Sequence, residues 1–119
     1  MKILLVDDSS TMRRIQKNTL STLGFTDVDE AEDGQDAVAK VAKSVYDLVL
    51  MDWNMPNMSG IDALKAIRAN PETAKVPVIM VTSESEKTRI LEAIQAGATN
   101  YIVKPFTPDV LKEKLDAMK

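Results

Sequence analysis

Five residues of this chain could do chemistry together: Asp7 and Asp8, Asp52, Thr82 and Lys104. Each group follows directly on a short apolar run: Ile3 to Val6, Leu48 to Met51, Val78 to Val81, and Tyr101 to Val103. Runs of this length with β-branched members read as strands, and the doubly apolar ones read as strands buried on both faces. Parallel strands point the same way, so their carboxyl ends share one edge, where open α/β sheets bind ligands. Clustered carboxylates repel and raise one another's pKa unless a cation joins them. The chain has no His and no Cys. Ligands that are all oxygen favour a hard ion, Mg²⁺ first, which commonly completes its shell with phosphate oxygens. Lys104 and Thr82 are suited to receive the remaining phosphoryl oxygens. Asp52 could then attack as a carboxylate nucleophile to form an aspartyl phosphate. Catalysis would rest on positioning and on charge neutralisation by the metal and Lys104.

Each residue alone has an ordinary reading. Asp52 could be a solvated residue at the rim of the sheet, and Asp7-Asp8 is favourable before a helix whatever else it does. Thr82 could cap the next helix, and Lys104 could be a surface lysine. The coincidence of all five at one edge carries the functional reading.

The elements that must position them follow from pattern. Asp7-Asp8-Ser9-Ser10 leads into a helix whose Met12, Ile15, Thr19, Leu20 and Leu23 are expected on one face, with Arg13, Arg14, Gln16 and Lys17 largely off it, and Gly24 closes it. Thr26 to Glu32, with Val28 and Ala31 among acids, predicts an edge strand. Asp33-Gly34 turns into a helix carrying Ala37, Val38, Val41 and Ala42. After Asp52 the loop Asn54-Met55-Pro56-Asn57-Met58 is rich in turn formers. Ser59-Gly60-Ile61-Asp62 resembles a capping box, Ile61, Leu64 and Ile67 follow on a third helix, and Asn70-Pro71 stops it. Ile90, Leu91 and Ile94 mark a fourth helix ending at Gly97. Thr107-Pro108 opens the last, with Leu111, Leu115 and Met118 as its stripe.

Five strands alternating with five helices, with no linker or repeat, imply one α/β domain over residues 1–119: a doubly wound parallel sheet with helices on both faces. If its order is the flavodoxin-like 2-1-3-4-5, the first and third strands flank the switch point and bring the two acidic loops together.

The net charge of -3 and pI near 4.9 give no general basis for binding nucleic acid or an anionic membrane. Without Cys, disulfide and thiolate chemistry are excluded. The opening apolar run reaches Asp7 too soon for a signal peptide or a membrane span, so a cytoplasmic location is expected. The seven Met residues, at mostly core-like positions, need no role beyond filling gaps.

Val6-Asp7-Asp8-Ser9, Met51-Asp52-Trp53-Asn54-Met55-Pro56, Val81-Thr82-Ser83 and Val103-Lys104-Pro105-Phe106 together resemble the signature segments of the receiver domain of bacterial two-component response regulators. The resemblance spans nearly the whole chain. Asp-Trp-Asn-Met-Pro and Tyr-Ile-Val-Lys-Pro-Phe are similar to the single-domain chemotaxis (CheY) type in particular, and the strand order 2-1-3-4-5 is that of the same type.

The resemblance implies Asp52 as the phosphoacceptor. It implies Asp7, Asp8, Asp52 and the backbone carbonyl of Asn54 around Mg²⁺, and Thr82 and Lys104 on the phosphoryl oxygens. It further implies Asn54 and Glu84 as residues tuning the lifetime of the acyl phosphate, Tyr101 as an aromatic switch coupled to Thr82, and a cis Lys104-Pro105 bond. The implied output face runs over the fourth helix, fifth strand and last helix through Ile90, Ile94, Tyr101, Val103 and Lys114. For Ile94, core packing is the plain alternative; for Tyr101, ring packing on a strand. Trp53 is expected to be partly exposed, as rim packing and a convenient reporter.

The implied partners are a histidine kinase of the CheA kind, a flagellar motor switch protein or another protein target, and a phosphatase. Neither nucleic acid nor membrane is implied, and the chain is expected to be a monomer. No effector domain is expected after Lys119, so output is by protein contact. Activity beyond self-phosphorylation from small donors and autodephosphorylation is not expected.

Rivals on the same fold are a phosphorelay carrier and a receiver cut from a longer regulator. An Asp-nucleophile phosphatase of the haloacid-dehalogenase kind calls for a second Asp where Asn54 stands, and for a cap insertion. A nucleotide-binding protein calls for a glycine-rich phosphate loop, and neither G-x-G-x-x-G nor G-x-x-x-x-G-K-[ST] occurs. A pure interaction module would usually have lost some of the five residues. Glu86 before Lys87 is more acidic than expected for a CheY-type output face, a departure that bears on the partner rather than on the chemistry.

Overall fold

The computed structural model describes residues 1–82, 87–104 and 106–118. The elements run β1 (Ile3–Val6), α1 (Ser10–Thr22), β2 (Val28–Ala31), α2 (Gly34–Lys43), β3 (Leu48–Asp52), α3 (Gly60–Ala69), β4 (Val78–Thr82), α4 (Lys87–Gln95), β5 (Asn100–Val103) and α5 (Pro108–Asp116). The strands form one parallel sheet in the order β2-β1-β3-β4-β5. β1, β3 and β4 are buried along their whole length. β2 is the edge strand that its acidic sequence predicts.

The side chains of the sheet alternate between two cores. On one face Leu4, Val6, Val49, Met51, Val78 and Met80 pack with Ala37, Val41, Ala63, Leu64, Ile67 and Ala93 of α2, α3 and α4. On the other, Ile3, Leu5, Leu48, Leu50, Ile79, Val81 and Ile102 pack with Leu20, Leu111 and Leu115 of α1 and α5.

Local chemistry sets the helix starts. Ser9, Asp33, Ser59 and Thr107 are the N-caps of α1, α2, α3 and α5, each side chain accepting the N–H three residues on. Gly24 and Gly97 follow α1 and α4 with φ of 89° and 100°, the left-handed backbone that a Gly tolerates.

Three expectations need correction. In α1, Ile15 is exposed and Gln16 is buried. The inward line of that helix runs through Gln16 and Leu20, and the Gln16 amide is accommodated because it donates to Asp7 Oδ2 at 3.5 Å. In α2, Ala42 is exposed while Ala37 and Val41 are buried. In α4 the helix expected from Ile90, Leu91 and Ile94 is present, with Ala93 inward and Leu91 and Ile94 58% and 55% exposed, so of the two readings of Ile94 the surface one holds and core packing does not. Trp53 is buried, not partly exposed, because its ring joins the core against α2, α3 and α4. The methionines also divide: Met51 and Met80 are core, whereas Met1 is exposed.

Candidate functional site

Parallel register brings the strand ends together. Val6 pairs with Met51, Asp52 with Val81, and Thr82 with Val103, so Asp7, Asp52, Thr82 and Lys104 emerge at adjacent strand ends. The backbone closes the same edge. Asp7 N–H donates to the Ala31 carbonyl at 3.1 Å, Trp53 N–H to Val81 at 3.1 Å, and Lys104 N–H to Thr82 at 2.7 Å.

Asp7, Asp52 and Thr82 are buried, and Asp8 is exposed at the mouth. Asp7, Asp8 and Asp52 each offer a carboxylate oxygen, all within 4.8 Å of one another. Lys104 Nζ lies 3.0 Å from Asp52 Oδ1 and 3.5 Å from Asp7 Oδ2. Burial, and then the Asp7 charge, raise the Asp52 pKa above the ordinary carboxylate value, while the hydrogen bond from Lys104 pulls it back. For Lys104, burial acts downward, but the hydrogen bond and charge of Asp52, with Asp7, outweigh it and hold the ammonium above its ordinary pKa.

Among the described residues, both hydrogen bonds to the Asp52 carboxylate fall on Oδ1, from Lys104 Nζ at 3.0 Å and from the Trp53 N–H at 3.0 Å. Oδ2 keeps its lone pairs for a cation or an incoming electrophile. Among the described residues a single ammonium stands against three carboxylates, which leaves the cluster short of positive charge. An all-oxygen set, partly buried and partly at the mouth, fits a hard divalent cation.

Asn54 is exposed in the loop after β3, beside the cluster in sequence. That loop is pinned at its far side. Asn57, at φ 66°, donates through Nδ2 to Asp33 Oδ2 at 2.9 Å. The Asp33 pKa is lowered first by the Asp36 backbone N–H and then by the Asn57 amide. Gly60 closes the loop, its N–H donating to the Trp53 carbonyl at 2.9 Å. A Cβ at Gly60 would overlap the Asp52 carbonyl oxygen. Only a Gly lets α3 start this close to the Asp52 end of β3.

Tyr101 is half-buried on β5, with Lys114 Nζ of α5 4.4 Å from its ring centroid. Ile90 and Val103 are half-buried and Ile94 is exposed. Glu84, Ser83, Glu86 and the Lys104-Pro105 bond lie outside the described residues.

Sequence reasoning missed three supporting residues. Gln16 donates to Asp7 Oδ2. Arg13 donates through Nη1 to the Asp7 carbonyl at 2.6 Å and through Nε to Glu30 at 3.0 Å. Gly60 was read as part of a cap, not as a close approach. A polar residue nine positions after Asp7, on the inward line of α1, was the available signal for Gln16; nothing local marks Arg13. A cavity of about 510 Å³ lined by Val41, Tyr46, Thr73 and Pro77 contains none of the candidate residues. The site is instead a shallow charged rim.

A parallel sheet with buried central strands and this acidic rim defines a class, and the comparison with known proteins agrees with it. Residues 3–116 match the response regulator receiver domain, and the chain belongs to that family. It is closely related to chemotaxis proteins of the CheY kind. It is 57% identical to chemotaxis protein CheY-3 of Vibrio cholerae over 98% of this chain and 89% of that one. The solved structure of Vibrio cholerae chemotaxis protein CheY4 superposes with a TM-score of 0.90 at 36% identity, over 99% and 98% of the two chains. The receiver domain of a Pseudomonas aeruginosa sensor histidine kinase, solved with a magnesium ion coordinated in its active site cleft, superposes with a TM-score of 0.88 at 32% identity, over 98% and 95%.

Proposed function

We propose that residues 1–119 act as one receiver domain, a phosphorylation-dependent signalling switch in which Asp52 is the acceptor. The observation that carries it is the Asp52 carboxylate itself: buried at the end of a central strand, held on Oδ1 by Lys104 at 3.0 Å, and clustered with Asp7 and Asp8. The donor is a phosphohistidine of a CheA-like kinase. Asp52 attacks phosphorus, a P–O bond forms and the P–N bond breaks. The electron pair leaves on the imidazole nitrogen, which takes up a proton.

Asp7, Asp8, Asp52 and the Asn54 carbonyl would hold Mg²⁺. When bound, the ion neutralises charge on the phosphoryl oxygens and offsets the repulsion within the acidic cluster. Lys104 swings its ammonium from the carboxylate to a phosphoryl oxygen, and the Thr82 hydroxyl binds another. Asn54 and Glu84 tune how fast water removes the group.

Output leaves by protein contact, in the cytoplasm, through the face carrying Ile90, Ile94, Tyr101, Val103 and Lys114. A flagellar motor switch protein fits the relation to chemotaxis proteins, with a phosphatase resetting the signal and the chain acting as a monomer. The exposure of Ile94 and Leu91 supports this face, since apolar side chains grouped on one helix surface suit a docking partner. Phosphorylation shifts a pre-existing equilibrium in which Thr82 and Tyr101 move together.

Intact mass after incubation with acetyl phosphate tests the chemistry. The expected result is a Mg²⁺-dependent gain of one phosphoryl group that Asp52→Asn lacks. No gain by the wild type, with no Trp53 fluorescence response to beryllofluoride, would overturn the reading in favour of a pure interaction module.

A further inference from the structure

The residue after the acceptor is held from both ends. The Trp53 N–H is shared between Asp52 Oδ1 at 3.0 Å and the Val81 carbonyl at 3.1 Å, so its orientation decides how firmly the carboxylate is fixed. The Trp53 carbonyl takes the Gly60 N–H. The indole is buried, and the guanidinium carbon of Arg89 lies 5.4 Å from a ring centroid. A cation within about 6 Å of an aromatic face is attracted by the ring quadrupole, most strongly for Trp.

Arg89 stands four residues before Ala93, which is buried, and so shares its inward line, while Leu91 and Ile94 face solvent. α4 therefore turns an apolar surface outward and rests a cation on the indole behind it.

We propose that Arg89 is a positioning residue for the phosphoacceptor. Its guanidinium clamps the Trp53 indole, which keeps the Trp53 N–H on Asp52 Oδ1 and ties the first turn of α4 to the state of that carboxylate. The coupling is reciprocal: whatever alters Asp52 alters the seat of Arg89, and the reverse. This rests on Asp52 being the acceptor. It adds a route from the acceptor to α4 that runs through Trp53, separate from Thr82 and Tyr101.

The test compares wild type, R89M, R89K, W53F and the R89M/W53F double variant. In metal-free protein, R89M is expected to raise the acrylamide quenching of Trp53 roughly twofold, with R89K close to wild type. With Mg²⁺ and saturating acetyl phosphate, R89M is expected to slow phosphoryl incorporation roughly threefold, the fold-change a cation–π contact of ordinary strength converts to. R89K should restore the rate, and adding R89M to W53F should change nothing further. A rate for R89M equal to wild type, an R89K rate equal to R89M, or the same slowing in the W53F background would each overturn the inference while leaving the acceptor reading intact. No phosphoryl gain by the wild type would overturn both.

Discussion

At the carboxyl end of the sheet, Lys104 stands 3.0 Å from Asp52 and 3.5 Å from Asp7, carboxylates 5% and 1% exposed. At the amino end, Lys2 reaches Asp29 at 4.0 Å with both side chains open to water, and its N–H donates to Asp47 Oδ2 at 2.6 Å. The Lys2 ammonium also lies 5.0 Å from the Tyr46 ring centroid, and the Tyr46 hydroxyl donates to Asp29 at 2.7 Å. Similar side chains do different work at the two ends because burial differs. Water screens the amino-end pair and leaves it worth little. At the carboxyl end burial opposes the charge on Asp52, so the cluster keeps a carboxylate that costs the fold something. A structural network satisfies its charges, whereas this rim leaves negative charge in excess.

The largest effect that separates the two ends should come from their glycines. Gly60→Ala forces a Cβ into the Asp52 carbonyl and is expected to cost about 3 kcal/mol by urea unfolding. Gly24→Ala, at φ 89° with nothing within 4 Å, should cost only about 1 kcal/mol, the left-handed penalty alone. Equal costs would mean that α3 can back away from the acceptor strand.

Next in size is the coupling within each charge pair. A double-mutant cycle of Lys104→Met with Asp52→Asn, in chelator, is expected to give about 2 kcal/mol. The cycle of Lys2→Met with Asp29→Asn should give under about 1 kcal/mol. A strong amino-end coupling would erase the contrast drawn from burial.

The smallest effect concerns Tyr46, whose phenol is pushed up to about 12 by burial first and by the Asp29 hydrogen bond second. A folded pKa above the unfolded value near 10 means this stability is fully present below pH 10. It is lost as pH rises from 10 to about 12. Absorbance at 295 nm should place the Tyr46 transition there, and Asp29→Asn should lower it while leaving it above 10, because burial is the larger cause. A fall all the way to 10 would make the carboxylate, not burial, the dominant influence.

Much of the architecture was legible because β1, β3 and β4 are separate apolar runs and each described cap is a residue with a local mechanism. Asp52, Thr82 and Lys104 could be placed at one edge from chain direction alone, since parallel strands share an end. The errors sit where one helix position decides a face. Ile15 and Gln16 exchanged places because a polar side chain can be buried once Asp7 offers it a hydrogen bond, a partner that periodicity does not see. For Ile94 the pattern left surface and core both open, and the structure decides for the surface because the small Ala93 lets α4 approach the sheet on its other side. Trp53 was misjudged because rim and core are one residue apart at a strand end.

The α/β class, the segment boundaries within a few residues and the five side chains of the candidate site are all consequences of local pattern. The strand order came from likeness rather than from physics. Only the tertiary structure decided that Oδ1 of Asp52 takes both the Lys104 and the Trp53 donors, that Gly60 must lack a side chain, and that Arg89 rests on the Trp53 indole. Those facts depend on distances between residues far apart in the chain, and a linear pattern of apolar and polar residues carries no record of them.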